Sequence, residues 1–245
     1  MGQEVNYSEL LYEGKAKKIF KTPEKEVFFL EFKDSLTAFN ALKKGSFENK
    51  GIVNRDIAAL VFDYLEQHGV KSHYLKKEKH NGMLVKKVEI IPFEVVVRNV
   101  LAGSTAKKLG LEEGTPLSEP LVEFYFKKDE LNDPFVSEEQ MRIIYKISEK
   151  DISLLCELAL MINQGLKELF HRIDIELIDF KVEFGKDLQG QILLADEITP
   201  DCCRLWDVKT KEKLDKDRFR RDLGQVKESY EQVLARLQKL NIRKG

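Results

Sequence analysis

The sequence has no excess of charge of either sign and no long apolar run. Its 245 residues include 41 Lys and Arg against 42 Asp and Glu, for a net charge of −1. A dedicated nucleic-acid-binding protein usually carries a basic excess that displaces counterions from phosphates, so this class is disfavoured. No apolar run approaches the roughly 20 residues that a membrane-spanning helix requires, and we expect none. An anionic ligand would therefore be bound by locally placed cationic side chains.

Cysteine and histidine are also scarce. The three cysteines are Cys156, Cys202 and Cys203, which suggest neither a disulfide framework nor a Cys-x-x-Cys metal site, so we expect reduced thiols. The four histidines lack metal-ligand spacing, and we assign them no catalytic role. Residues 1–6 lack the basic and apolar regions of a signal peptide. We therefore expect a cytoplasmic protein.

The pattern along the chain changes near Val88. Short strand-like runs dominate before it, together with an apolar stripe over 51–67 that predicts an amphipathic helix. Helical patterns dominate after it, and the apolar stripe from Phe219 to Leu237 predicts one closing helix. Strands first and helices later predict an α+β fold, with an N-terminal antiparallel domain at 1–88 and a larger C-terminal part at 89–245.

The segment from Ile175 to Phe184 is the most informative. If it is a strand, its alternation places Asp179, Lys181 and Glu183 on one face and apolar residues on the other. A half-solvated antiparallel strand would explain this pattern without any function.

A second run, from Gln191 to Thr199, predicts a hairpin with this strand. A four-residue loop, Lys186 to Gln189, would place Asp196 opposite Asp179 on the charged face. Carboxylates crowded around one lysine repel each other unless a cation lies between them. Glu183 and Asp196 are therefore candidate ligands for Mg²⁺, which is typically held by one or two carboxylates plus phosphate oxygens.

Three other segments carry candidate anion-binding groups. Gly14, followed by Lys15 and Lys17, would let backbone N–H groups and ammonium groups approach a phosphate, although an exposed basic turn explains the same residues. Arg98 ends an apolar strand and is followed by Gly-Ser-Thr at 103–105, which indicates either an anion site or a plain helix start. The acid-rich segment at 195–207 combines turn residues with one arginine and the only tryptophan.

Taken in order, five stretches resemble the SAICAR synthetase family, the phosphoribosylaminoimidazole-succinocarboxamide synthases. They are YEGKAKKIF at 12–20, KDSLTAFN at 33–40, IPFEVVVRNVLAGS at 91–104, LIDFKVEFG at 177–185 and ADEITPDCCRLWD at 195–207. The resemblance implies an α+β fold with an ATP site between an N-terminal antiparallel sheet domain and the larger C-terminal part. It also implies a homodimer and a Mg²⁺-dependent ligase reaction, in which ATP, L-aspartate and carboxyaminoimidazole ribonucleotide give the succinocarboxamide, ADP and phosphate.

The resemblance further implies roles for individual residues. The phosphate loop would be Gly14, Lys15, Ala16 and Lys17, and the adenine hinge would run from Lys86 to Val88. The metal carboxylates would be Glu183 and Asp196, and the ribonucleotide would be held by Arg98, Ser104, Asp201 and Arg204. The loop associated with aspartate would include Asp34, Thr37 and Asn40, where Asn40 stands in place of the Asp of many family members.

The chemistry of this reaction agrees with the residues. A carboxylate cannot expel oxide, so it must be activated before an amine attacks it, and phosphoryl transfer from ATP does this. We hypothesise that Mg²⁺, Lys15, Lys17 and Lys181 spread the charge of the transferring phosphoryl group and that an acyl phosphate forms. Asp179 would accept a proton from the amine, or would orient Lys181 or a metal-bound water.

The sequence is compatible with another order of the chemical steps and with other functions. Amine attack could precede phosphorylation. Another ATP-dependent small-molecule kinase or ligase would use a similar Mg-ATP site, and a binding module would hold ATP without turnover.

Overall fold

A computed structural model describes residues 7, 9–39, 41–79 and 81–242 of the chain. The first elements are β1 (Leu10–Glu13), β2 (Lys17–Lys21), β3 (Val27–Phe32), β4 (Ser35–Ala38), β5 (Lys43–Ser46), α1 (Lys50–Gln67), β6 (Tyr74–Glu78) and β7 (Gly82–Lys86). They are followed by β8 (Glu89–Val100), α2 (Gly103–Leu109), β9 (Pro116–Phe126), β10 (Phe135–Val136), α3 (Glu138–Ile143), α4 (Glu149–His171), β11 (Ile175–Lys186), β12 (Ile192–Ala195), β13 (Cys203–Asp207), α5 (Asp217–Arg220) and α6 (Val226–Gln238). Among the described residues, no helix has the length and apolar character needed to cross a bilayer.

The first sheet is antiparallel and runs in the order β1-β2-β3-β7-β6. Gly14 lies in the turn between β1 and β2, where its N–H donates to the carbonyl of Lys17 at 2.8 Å. Strands β1 and β2 therefore form a hairpin around this glycine. The chain leaves this sheet at Lys86 and enters the second one at Glu89.

Helix α1 matches the predicted amphipathic helix and ends as its sequence indicates. Gly69 has φ +81°, a left-handed conformation that glycine adopts without steric cost. The N–H of Val70 bonds to the carbonyl of Leu65, and the N–H of Gly69 bonds to that of Glu66, both at 3.0 Å. This pair of bonds is a Schellman motif, which satisfies carbonyls that the helix end would otherwise leave unpaired.

The second sheet is organised around β11. One edge of β11 pairs with β8, which pairs in turn with β9, and β9 pairs with β10. The other edge of β11 pairs with two strands, β12 along 183–186 and β13 along 175–180. The short segment 196–202 therefore passes beside the middle of β11, where the N–H of Lys181 donates to the carbonyl of Cys202 at 2.9 Å.

A continuous hydrophobic core joins the two sheets. It includes Leu30 of the first sheet, Ile57 of α1, Phe170 of α4 and Phe180 of β11, all nearly inaccessible to solvent. Helix α1 packs against β3, α4 and α6, so it connects both parts of the chain. The result is a mixed α+β fold, as the order of the sequence patterns predicts.

The prediction of one closing helix from Phe219 to Leu237 is wrong. Helix α5 ends at Arg220 and α6 begins at Val226, because Asp222, Gly224 and Gln225 adopt positive φ angles. The Arg218 guanidinium stabilises this break by donating to the carbonyls of Gly224 at 2.7 Å and Leu223 at 3.4 Å. Apolar periodicity alone does not detect a break that depends on these φ angles and on the side chain of Arg218.

Candidate active site

The charged face of β11 is buried rather than half-solvated. The register sets Asp179 opposite Arg98 and Glu183 opposite Glu94 of β8. Asp179 is 4% exposed and Glu183 is 3% exposed. A buried charge is costly unless it is paired, so the partners of these side chains decide how the face is built.

At one end of this face, two guanidinium groups hold one carboxylate. Arg98 Nη1 and Arg204 Nη1 both donate to Asp179 Oδ2, at 2.9 Å and 2.7 Å. Arg98 also donates to Glu123 at 2.8 Å, and Arg204 donates to Asp217 at 3.1 Å. We call Asp179, Arg98 and Arg204 the arginine end.

At the other end, three ammonium groups are shared among several carboxylates. Lys181 Nζ lies 2.9 Å from both Glu94 Oε1 and Glu183 Oε1, and 3.9 Å from Asp196 Oδ2. Lys127 pairs with the second oxygen of Glu183, while Lys17 pairs with Asp196. We name this cluster the lysine end; its members are Lys17, Lys127, Lys181, Glu183 and Asp196.

The charges of the lysine end stabilise one another. Burial opposes ionisation of Asp196, but the Lys17 and Lys181 ammonium groups hold the pKa of this carboxyl well below its usual range. Burial likewise opposes the charge of Lys181, yet the carboxylates of Glu183, Glu94 and Asp196 raise its pKa well above the usual value. Near neutral pH, the Asp196 carboxyl and the Lys181 amine are therefore both charged.

Asp196 lies in the lysine end, but the strand register that brings it there differs from the predicted one. The hairpin pairs Glu183 with Ala195 and Lys186 with Ile192, so the prediction that Asp196 lies opposite Asp179 is wrong. The turn is longer than predicted because the Asp187 carboxylate accepts the N–H groups of residues 189 and 191. Asp196 instead follows the end of β12 with φ +63°, where the chain has left the strand alternation.

Two cavities open from the charged face. The larger, about 630 Å³, is lined by all the predicted nucleotide contacts, namely Gly14, Lys15, Ala16, Lys17, Lys86 and Val88, and by Glu183 and Asp196. The smaller, about 410 Å³, is lined by all the predicted ribonucleotide contacts, namely Arg98, Ser104, Asp201 and Arg204, and by Asp179 and Thr37. Lys15, Lys181 and Asp201 line both cavities. The cavities therefore meet beside the lysine end.

The predicted aspartate-associated residues lie in different places. Thr37 lines the smaller cavity, and Asn40 is outside the described residues. The Asp34 carboxylate accepts the N–H groups of Asn49 at 3.2 Å and Gly51 at 2.8 Å, so it caps the start of α1. Asp34 is not among the residues that line either cavity.

Asp201 is held by residues that sequence patterns did not reveal. Asn54 and the 1% exposed Lys50 contact Asp201 Oδ2, and the Tyr230 hydroxyl donates to Oδ1 at 2.8 Å. Burial opposes ionisation of Asp201, but the Lys50 and Lys216 ammonium groups keep its pKa well below the usual value. Helices α1 and α6 thus fix the side chain at the boundary of the two cavities.

Other residues of the site were also not predicted from the sequence. Glu94 lies four residues before Arg98 and therefore on the same face of β8, a signal that the alternation of this strand already contained. Lys127, Lys216 and His73 follow no comparable pattern, although all three line the larger cavity. Burial lowers the pKa of His73 to about 4, so its imidazole is neutral near pH 7.

Comparison with known proteins identifies the family. The SAICAR synthetase family model matches residues 10–237. The phosphoribosylaminoimidazole-succinocarboxamide synthase of Lysinibacillus sphaericus (strain C3-41) is 53% identical over 229 residues, which are 94% of this chain and 97% of that protein. Its counterpart in Halalkalibacterium halodurans is 51% identical over 230 residues, which are 94% of this chain and 97% of that protein.

Solved structures agree with the sequence relatives. The crystal structure of the Ehrlichia chaffeensis phosphoribosylaminoimidazole-succinocarboxamide synthase has a TM-score of 0.92 at 44% identity and covers 95% of this chain and 99% of its own. A SAICAR synthetase solved in complex with ADP has a TM-score of 0.90 at 45% identity, covering 94% of this chain and 97% of its own. This chain belongs to the SAICAR synthetase family.

Proposed function

We propose that this chain is an ATP-dependent ligase of de novo purine biosynthesis. It joins carboxyaminoimidazole ribonucleotide to L-aspartate and releases the succinocarboxamide ribonucleotide (SAICAR), ADP and phosphate. One observation carries the proposal: the cavity that contains the phosphate-loop residues meets the cavity that contains Arg98 and Arg204 beside Lys181. A phosphoryl donor in the first and a carboxylate acceptor in the second would face each other there.

The lysine end would support phosphoryl transfer. An acyl phosphate forms when a carboxylate oxygen of the ribonucleotide attacks the γ-phosphorus and the bond to ADP breaks. Lys17 and Lys181 line the larger cavity as ammonium groups, and Lys15 extends the positive charge into both cavities. Such fixed cationic groups stabilise the charge on the transferring oxygens more strongly than water does.

Mg²⁺ would be held by Glu183 and Asp196. Both carboxylates line the larger cavity, and Lys181 Nζ lies within 4 Å of each, so the site already accommodates a positive charge between them. Hard carboxylate oxygens, completed by ATP phosphate oxygens and water, suit this ion. When bound, Mg²⁺ would neutralise phosphate charge, and the lysines would then be available to pair with the nucleotide.

The arginine end would bind the anionic ribonucleotide. Arg204 is partly exposed to the smaller cavity while Asp179 and Asp217 fix its planar group, so its orientation is set before a substrate arrives. Asp179 would either orient the two arginines or accept the proton of the aspartate amine. Arg98 and Arg204 both donate to Asp179 Oδ2, which favours the role of orienting these two arginines. An Asp179→Asn variant with near-normal turnover would exclude the base role.

Further properties form part of the proposal. Residues 1–88 would supply most of the nucleotide site and 89–245 the substrate and metal sites, in a cytoplasmic homodimer. Asp34, Thr37 and the loop containing Asn40 would influence aspartate binding, with Asp34 acting through its cap on α1. Another small-molecule kinase or ligase at the same Mg-ATP site is the alternative function.

A coupled ADP-release assay tests the proposed function. Each of ATP, ribonucleotide, L-aspartate and Mg²⁺ is omitted in turn, and the product is identified by mass. We expect ADP release to require all four, with SAICAR formed in equal amount. ADP release that persists without L-aspartate, together with a phosphorylated product, would instead indicate a kinase.

The order of the chemical steps needs a separate measurement. Positional isotope exchange in the β,γ-bridge of ATP, observed with the ribonucleotide but without L-aspartate, would support an acyl phosphate.

A further inference from the structure

His73 is a buried side chain in the wall of the larger cavity, and its backbone joins the two sheets. It is 4% exposed. Its main-chain N–H donates to the carbonyl of Leu194 in β12 at 2.8 Å, and its carbonyl accepts the N–H of Lys86 in β7 at 2.7 Å. His73 therefore lies between the strand that leads to the predicted adenine hinge and the strand that leads to Asp196.

The His73 ring contacts the backbone of Asp196. Its Nε2 lies 3.1 Å from the Asp196 carbonyl oxygen, and the ring packs edge-on against Phe62 with centroids 5.8 Å apart. A carbonyl oxygen can only accept a hydrogen bond, so Nε2 must carry the proton in this contact. The geometry thus selects one tautomer of the ring.

The backbone of Asp196 has a specific conformation that the contact with His73 would hold. Its φ of +63° lies in the left-handed region, which Asp adopts more readily than most residues with a Cβ. Asp196 is the first residue after β12, and its carboxylate pairs with Lys17. If the carbonyl of Asp196 rotated away from His73, the carboxylate would move with it.

We infer that His73 is a positioning residue that holds Asp196, and through it one carboxylate of the Mg²⁺ site, by a hydrogen bond from Nε2–H to the Asp196 carbonyl. The inference rests on the proposed function for the assignment of Asp196 to the metal. A positioning role differs from direct contact with the nucleotide. Loss of the His73 ring would weaken only the part of the nucleotide affinity that depends on Mg²⁺. Groups that orient metal ligands typically change metal affinity about 10- to 100-fold when they are removed.

Calorimetric titration with ADP, in the presence of Mg²⁺ and again in EDTA, tests the inference. His73→Leu removes the donor, and His73→Gln retains an N–H near the position of Nε2. The matched control is His68→Leu, because the His68 ring also contacts a backbone carbonyl, that of Tyr64 at 2.9 Å, but lies at the end of α1.

We expect His73→Leu to weaken ADP binding about tenfold in Mg²⁺ and less than twofold in EDTA, with His73→Gln restoring most of the loss. His68→Leu should leave both values unchanged. Equal weakening with and without Mg²⁺ would overturn the inference in favour of direct nucleotide contact, and no weakening would also overturn it. This readout does not depend on turnover, whereas failure of the proposed function would appear as ADP release that does not require L-aspartate.

A measurement on the unmodified protein covers the case in which His73→Leu does not fold. Long-range ¹H–¹⁵N spectra distinguish a protonated from an unprotonated ring nitrogen. We expect His73 to be protonated at Nε2 and unprotonated at Nδ1. The opposite tautomer would exclude the hydrogen bond and overturn the inference.

Discussion

The two ends of the charged face of β11 use different cations for different tasks. At the arginine end, each guanidinium bridges two carboxylates, so its plane and direction are fixed by several bonds. At the lysine end, each carboxylate touches ammonium groups that are single points of charge on flexible stems. The first arrangement suits a preformed receptor for a planar anion, and the second suits groups that would exchange partners on binding the proposed phosphate and Mg²⁺.

The ends also resemble each other in one respect, because a buried group with a strongly shifted pKa lies behind each. His73 lies behind the lysine end, and Asp215 lies behind the arginine end. Asp215 is 0% exposed and accepts the N–H groups of Leu205 at 2.8 Å and Asp217 at 2.7 Å. Burial, reinforced by the nearby Asp217 carboxylate, raises the pKa of Asp215 to about 7.

The largest expected effect follows removal of the shared cation of the lysine end. Lys181→Met should lower kcat by roughly 10²- to 10³-fold, because it removes a fixed positive charge that would stabilise the transferring phosphoryl group. Lys181→Arg should recover little, since a planar fork cannot replace a point charge among Glu94, Glu183 and Asp196.

Lys186→Met is the control for this prediction, because Lys186 lies on the same strand but pairs with Asp151 at 2.8 Å, and it should keep normal turnover. A Lys181→Arg enzyme with full activity would remove the distinction between the two ends.

The next effect concerns stability behind the arginine end. The folded-state pKa of Asp215 is about 7, above its ordinary value of 3.8. As pH rises above that ordinary value, the unfolded chain loses a proton that the folded protein retains, so stability falls and levels off above pH 7. Between pH 5 and 8 this one group should lower the free energy of unfolding by roughly 2–3 kcal/mol.

Urea unfolding at several pH values measures this effect. Asp215→Asn should remove that part of the pH dependence, whereas Asp222→Asn, at a carboxylate that is 84% exposed, should leave it unchanged. Identical pH profiles for Asp215→Asn and the unmodified protein would contradict the assignment.

A smaller effect is expected from exchanging the cation type at the arginine end. Arg204→Lys keeps the charge but cannot bridge Asp179 and Asp217 with one planar group, so KM for the ribonucleotide should rise about tenfold while KM for ATP stays nearly constant. Arg221→Lys is the control, because Arg221 also contacts Asp217, at 3.3 Å, but lines neither cavity. Equal changes in both KM values would show that the two cavities are not separable in this way.

The smallest effect concerns Asp201, which lies at the boundary of the two cavities. Tyr230→Phe removes one hydrogen bond and leaves the contacts of Asp201 with Lys50 and Asn54, so the free energy of unfolding should fall by about 1 kcal/mol. Denaturant unfolding measures the change, with Tyr12→Phe at a 60% exposed side chain as the control. A loss several times larger would mean that Tyr230 holds the whole network together.

The local sequence pattern was sufficient to predict several features of the structure. The alternation along β11 predicted which face carries Asp179, Lys181 and Glu183, and the apolar stripe over 51–67 predicted α1. The family resemblance pointed to the residues that line each cavity. These features depend on backbone period and on residues close in sequence.

The features that were not predicted depend on side-chain contacts that the spacing of residues in the sequence does not reveal. The register of the β11 and β12 hairpin is set by the Asp187 side chain, and the break between α5 and α6 is stabilised by Arg218. Strand β13 was not predicted, since Cys203 to Asp207 is short and mixes charged with apolar residues. Lys50 and Tyr230 reach Asp201 only after α1 and α6 pack together.

The pairing of β12 and β13 with one edge of β11 also constrains how this chain can vary. The segment 196–202 is anchored in register at both ends, so its length is fixed by the strand beside it. Substitution of the adjacent Cys202 and Cys203 would leave that length unchanged. Insertion or deletion of a single residue would shift either Asp196 or Arg204 out of phase, so we expect relatives to differ here in residue type and to agree in residue number.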